Sequence, residues 1–145
     1  MKIVVQKVKK CVLYSEGEKF SEIKHGMLVL VGVSIHDKIE VAEKMAQKIL
    51  KLRIYDDENG KTNKSIFDIN GEIMVVSNFT LCSNLKGTNR PDFFTAAKPE
   101  QAEPIYNELV QILKNQVNVA TGAFRTYMEI EMLADGPGTY VYEEV

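Results

Sequence analysis

The chain has 145 residues, 45% hydrophobic and 26% charged, a balance that fits an ordinary folded domain and excludes a disordered tail, a fibrous repeat or a disulfide scaffold. Its 18 Lys and Arg against 20 Asp and Glu give a formal net charge of -2, so bulk attraction to phosphate is not what the surface is built for. The two cysteines, Cys11 and Cys82, are far apart and outside any Cys-x-x-Cys or Cys/His cluster, which matches neither a zinc pattern nor a disulfide framework.

From the amino end, Lys2 to Val8 alternates in strand fashion, with Val4, Gln6 and Val8 on one side and Ile3, Val5 and Lys7 on the other. Val12 to Tyr14 and Lys19 to Ile23 flank Glu16-Gly17-Glu18, which predicts a hairpin. After His25-Gly26, the apolar run Met27 to Val33 has the composition of a strand buried on both faces. Asp37 is placed to cap a helix in which Ala42, Met45, Ala46 and Ile49 recur at helical spacing toward Leu52. Asp56-Asp57-Glu58-Asn59-Gly60 is a turn, and Glu72 to Val76 is a second buried strand that runs into Ser77-Asn78-Phe79-Thr80-Leu81.

Beyond a polar segment up to Lys98, a second helix carries Ala102, Ile105, Tyr106, Leu109, Ile112 and Leu113 on one stripe. Pro99 suits a first helical position, but Pro104 cannot donate to the Glu100 carbonyl and its ring crowds it. The regular helix is therefore expected to begin at or near Pro104, or to be kinked there. Tyr127 to Leu133 and Gly138 to Tyr142 alternate as two strands around a turn at Ala134-Asp-Gly-Pro137. Strands at both ends with two main helices between them predict an α/β fold, a single layered domain over residues 1–145 with mixed β-sheets. No signal-peptide or transit pattern is present and no apolar run approaches about 18 residues, so a cytoplasmic protein with no membrane association is expected.

Three groups of residues could carry chemistry. Ser77, Asn78 and Thr80 put two hydroxyls and an amide where a buried strand surfaces; such groups can hold an ester carbonyl and its oxyanion, or simply satisfy backbone groups at a strand end. Gly136-Pro137 could hold a cis peptide bond and let backbone approach a ligand, or serve as ordinary turn chemistry. Lys86, Arg90 and Lys98, with Lys61 and Lys64 earlier, could meet phosphates or lie on a solvated loop. His25 and His36 belong to no catalytic or metal pattern, and no Gly-x-Ser-x-Gly, His-Glu-x-x-His, Walker or dinucleotide motif occurs. A histidine-driven triad is disfavoured, and neither a metal nor an organic cofactor is called for.

Taken in order, these segments resemble the D-aminoacyl-tRNA deacylases, the D-tyrosyl-tRNA deacylase family, over the whole chain. The resemblance rests on Met1 to Gln6, Ile23 to Gly32, Leu52 to Asp56 with Gly60-Lys61, and Gly71 to Ser77. The family's Ser-Gln-Phe-Thr-Leu motif stands here as Ser77 to Leu81, and its Arg/Lys-Pro-x-Phe segment as Arg90-Pro91-Asp92-Phe93 followed by Ala96-Ala97. Its Gly-x-Phe element stands as Gly122-Ala123-Phe124 with Met128, and its Gly-Pro-Val-Thr motif as Gly136-Pro137-Gly138-Thr139.

The resemblance implies hydrolysis of the ester between a D-amino acid, or glycine, and the 3′-terminal adenosine of tRNA, a chiral proofreading step in translation. It implies a homodimer in which a cis Gly136-Pro137 reaches into the partner's site, its carbonyls excluding an L side chain. Ser77, Asn78, Phe79 and Thr80 are then the catalytic segment, with Gly136, Pro137, Phe124, Met128, Lys86 and Arg90 around the substrate. The resemblance also implies that catalysis leans on the substrate's own 2′-hydroxyl and on water.

Several residues depart from the family pattern: Asn78 replaces glutamine, Ala134 asparagine, Gly138 valine and Arg125 a glycine, and the lysine-glycine spacing after Leu85 is altered. They cluster near the inferred site, where a shift of about 1 Å can cost about a hundredfold in rate. Gly138 in place of a β-branched residue is expected to loosen the chiral filter. Two other readings stay open: a non-catalytic homologue that binds tRNA or DNA ends, and an editing deacylase of shifted specificity that acts on glycine or small L-amino acids.

Overall fold

The computed structural model describes residues 1–145. Its first strand organises the rest. β1 (Lys2–Ser15) takes two partners in succession along one edge: Lys2 to Val8 runs antiparallel to β3 (Gly26–Gly32), and Cys11 to Ser15 antiparallel to β2 (Glu18–Ile23). Between these come the helix α1 (Glu40–Lys51) and a small hairpin of β4 (Tyr55–Asp56) and β5 (Thr62–Lys64). β3 pairs in parallel with β6 (Glu72–Ser77), and β6 in parallel with β7 (Val119–Thr121), the two joined through α2 (Pro99–Lys114). β8 (Met128–Glu143) covers the other edge of β1. The sheet curls until β2 approaches β7, where the Ser21 hydroxyl donates to the Thr121 carbonyl at 2.7 Å. The result is a mixed α/β fold with two helices and a nearly closed, barrel-like sheet, in agreement with the fold class read from the sequence.

The two faces of the central strands serve two cores. Toward the helices, Ile3, Val5, Val29, Val31, Ile73 and Val75 pack against Met45, Ile49 and Leu109. Toward the barrel interior, Val8, Cys11, Leu13, Ile23, Leu28, Met74 and Val76 form a smaller cluster. Every second residue of β3 and β6 thus enters a different core, which is why both read as unbroken apolar runs. In β1, register irregularities between Gln6 and Lys10 change the parity, so that Cys11 and Leu13 face the same interior as Val8. Burial there pushes the Cys11 thiol up to about 11. At Gly26 the β3 backbone lies close against β6: a Cβ on it would lie 1.8 Å from the Glu72 carbonyl oxygen.

Three expectations are corrected. Asp37 does not cap α1, whose N-cap is Ile39 without a side-chain bond. Its carboxylate instead accepts from the Met1 ammonium at 2.5 Å and from the Ser34 amide at 2.7 Å, and a nearly buried charge pair outcompetes a solvated cap. Helix α2 begins at Pro99, not at Pro104, and is continuous through it. Pro104 and Glu100 are both exposed, so the orphaned carbonyl finds water and only one helical bond is lost. Finally, Ala134 to Pro137 is no turn between two strands. Both flanking segments pair with β1, Ala134 opposite Val8 and Thr139 opposite Gln6, so Asp135 to Gly138 bulge out opposite Lys7 alone. The Gly136-Pro137 bond in that bulge is cis.

Candidate active site

β6 ends at Ser77, and Asn78 (φ -142, ψ 90) is extended before the chain tightens into a 3-10 turn over Phe79–Cys82. The turn is held against β3 by close approach: a Cβ on Gly32 would lie 2.9 Å from the Leu81 Cβ and 3.3 Å from the Asn78 carbonyl. Within it, the Leu81 amide donates to the Asn78 carbonyl and the Ser83 amide to the Thr80 carbonyl. The Phe79 and Thr80 amides come before the first i to i-3 acceptor, and they donate to no backbone carbonyl. Two polar N–H groups are therefore free on consecutive residues. The Thr80 hydroxyl donates to the Asn78 side-chain oxygen at 2.5 Å, so the short amide is used inside its own turn.

These residues open onto a cavity of about 750 Å³, within the range of roughly 300–1,000 Å³ common for small-molecule sites. Leu30, Val76, Met128 and Ile130 form an apolar floor at the barrel mouth, and Ala97, Pro99 and Ala102 supply a wall from the start of α2. Ser77, Asn78, Phe79 and Thr80 line one side, and Phe124 to Met128 the other. Gly122 admits that second side, since a Cβ there would sit 2.7 Å from the Met128 sulfur. The Tyr106 hydroxyl donates to the Val75 carbonyl at 2.8 Å and its ring packs 5.7 Å from that of Phe124, which ties helix, strand end and loop together. Phe79 stacks edge-on against Phe93 at 5.0 Å.

The structure thus brings together Ser77, Asn78, Phe79, Thr80, Phe124 and Met128. Lys86 and Arg90 lie in the exposed loop beyond the turn, outside the cavity lining, and Gly136 and Pro137 sit on the β8 bulge, also away from it. Neither histidine lines the cavity: His25 meets the Tyr55 ring edge-on at 5.6 Å, and His36 is in an exposed turn. No aspartate, glutamate, lysine or cysteine lines it either. The chemistry on offer is hydrogen-bond donation to a polarised oxygen inside a largely apolar pocket, with no side chain suited to general-base work.

Arg125, whose sequence signal is only a departure from the family pattern, also lines the cavity. The Thr126 amide donates to the Ala123 carbonyl, making Phe124 and Arg125 the central pair of a turn, and Arg125 has φ 62. That corner favours glycine, and an arginine there carries about 1–3 kcal/mol of backbone strain.

Residues 4–143 match the family model described as D-Tyr-tRNA(Tyr) deacylase. A protein of Chloroherpeton thalassium named D-aminoacyl-tRNA deacylase is 44% identical over 145 residues, covering 99% of this chain and 95% of the relative. One of the same name from Dictyoglomus turgidum is 44% identical over 144 residues, covering 99% and 92%. Among solved structures, a c-Myc DNA unwinding element binding protein superposes with a TM-score of 0.94 at 41% identity, covering 100% of this chain and 99% of that one. A probable eukaryotic D-amino acid tRNA deacylase superposes with a TM-score of 0.85 at 14% identity over 97% of each chain, a likeness of fold. With a family model that spans all but the two ends and relatives above 40% identity along nearly the full length, this chain belongs to the D-Tyr-tRNA(Tyr) deacylase family.

Proposed function

We propose that the chain is a hydrolase that cleaves the ester between a D-amino acid and the 3′-terminal adenosine of tRNA, a proofreading step in translation. The observation that carries this reading is the pair of free amides at Phe79 and Thr80 on the wall of an apolar cavity. In ester hydrolysis, water adds to the carbonyl carbon and the carbonyl oxygen takes on negative charge. Donors already aimed at that oxygen lower the barrier without reorganising. The bond to the 3′-oxygen then breaks, that oxygen takes a proton, and free amino acid and tRNA leave. With no acidic or imidazole side chain in the lining, the adjacent 2′-hydroxyl of the ribose is the group that relays the proton. Ser77 and Thr80 position the ester, and Phe124 and Met128 contact the adenosine end.

The same reading makes the protein a homodimer. β8 pairs only with β1 and leaves its outer edge open over 16 residues, with Leu133 60% and Val141 67% exposed. A long open edge with apolar residues is a liability unless another chain covers it. In the dimer the Gly136-Pro137 bulge of one subunit closes the cavity of the other and rejects L side chains, while glycine, having none, passes. Lys86 and Arg90 meet the tRNA backbone outside the cavity, and the protein works in the cytoplasm among charged tRNAs. Sedimentation equilibrium is expected to give twice the chain mass at micromolar concentration; a monomer would remove the shared-site part of the reading.

Hydrolysis of labelled D-Tyr-tRNA, D-Asp-tRNA and Gly-tRNA against L-Tyr-tRNA tests the whole reading, with turnover of the first three and sparing of the last expected. A second reading, a DNA-binding protein without deacylase activity, takes its support from the name of the 41% identical structure. Tight binding of a melted DNA duplex together with no cleavage of any aminoacyl-tRNA would favour it over the enzyme.

A further inference from the structure

Of the fifteen residues lining the cavity, Arg125 is the one with a charged side chain. It is exposed and belongs to none of the salt bridges. The sequence holds it at a turn corner where φ is 62, a position that glycine would occupy without strain. An unpaired guanidinium in a cavity that is otherwise apolar or neutral, on a protein of net charge -2, is suited to an oxyanion brought in by the ligand.

We infer that Arg125 is a substrate-binding and specificity-determining residue that clamps an oxyanion of the incoming aminoacyl-tRNA by a charge-assisted, two-pronged hydrogen bond. This rests on the deacylase reading of the cavity. Aminoacyl-tRNA offers such an oxyanion from two sources: the phosphodiester on the 5′ side of the terminal adenosine, and the side-chain carboxylate of an acidic amino acid. The first would make Arg125 a general grip on the tRNA end; the second would make the enzyme favour acidic D-residues. Arg125 acts on binding rather than on bond breaking, so its removal raises KM and leaves kcat nearly unchanged.

The test compares the wild-type protein with Arg125→Gly, which relieves the backbone strain and so folds at least as well, and with Arg125→Lys, which keeps a charge but not the fork. Each is assayed on D-Tyr-tRNA and D-Asp-tRNA. Binding of the non-hydrolysable 3′-(D-tyrosylamino)-3′-deoxyadenosine is also measured, with and without a 5′-phosphate. A phosphate clamp predicts that Arg125→Gly raises KM about 10- to 100-fold on both substrates, with the 5′-phosphate improving analogue affinity in wild type only. A carboxylate clamp predicts that loss on D-Asp-tRNA alone. In either case Arg125→Lys recovers part of the affinity. If wild type turns over substrate and Arg125→Gly stays within twofold on both, the inference is overturned and the deacylase reading stands. If wild type cleaves none of them, both fall.

Discussion

Replacing Phe79 with proline is expected to lower kcat on D-aminoacyl-tRNA about 10²- to 10³-fold below that of Phe79→Ala, the loss typical of removing one donor to a developing oxyanion. The comparison isolates a backbone atom. Both substitutions delete a ring that is 56% exposed and packs edge-on against Phe93, but only proline also deletes the amide hydrogen. Proline is otherwise accommodated here. Position 79 opens the 3-10 turn, a conformation whose usual φ suits proline, and Asn78 before it is already extended, as a residue preceding proline prefers. The Phe79 amide donates to no carbonyl, so its loss leaves folding intact. Single-turnover rates of the two variants, with thermal unfolding to confirm equal stability, provide the check. Equal rates would mean that the free amide is not where charge develops.

The largest effect on stability is expected at the opposite end of the same strand pair. Gly26→Ala places a methyl group 1.8 Å from the Glu72 carbonyl oxygen and 2.8 Å from the Glu72 carbonyl carbon and nitrogen. These are backbone atoms at the first pair of the β3–β6 ladder, so no side chain can swing away, and the strands must separate or shift register. Overpacking in a core commonly costs about 1–3 kcal/mol, and a clash with backbone belongs at or above the top of that range. For a chain of this size about 3 kcal/mol corresponds to a fall in Tm of roughly 6–12 °C. A scanning calorimetry trace within 2 °C of wild type would contradict the close pairing of these strands.

These two positions also mark what the sequence could and could not convey. The apolar runs of β3 and β6 are legible because burial on both faces leaves no polar residue in them, and the stripe of α1 is legible because its period is local. Ser77, Asn78 and Thr80 stand out for the same reason, as the first polar residues after a buried run, and the structure does gather them with Phe124 and Met128 around one cavity. The free amides of Phe79 and Thr80 carry no side-chain signal, because a 3-10 turn is decided by how Gly32 lets the segment settle against β3.

Long-range pairing explains the other differences. Nothing local to Ala134–Pro137 says that both flanking segments share β1 as partner, so a bulge reads as a turn. Asp37 carries a capping signal, yet the Met1 ammonium reaches it first. Arg125 is visible as an odd residue after Phe124, but that it faces the cavity follows only once the turn from Ala123 to Thr126 is folded. Lys86 and Arg90 lie beyond the lining of the cavity, and the cation within the lining is Arg125.

In the deacylase reading, the ester carbonyl is expected to sit against the Phe79 and Thr80 amides in the cavity at the end of β6. A crystal structure of the protein with 3′-(D-tyrosylamino)-3′-deoxyadenosine tests it most directly. The analogue's amide oxygen is expected within about 3 Å of both nitrogens, with the adenosine toward Phe124 and Met128. An analogue bound elsewhere, or bound here with its carbonyl turned away from both amides, would contradict it.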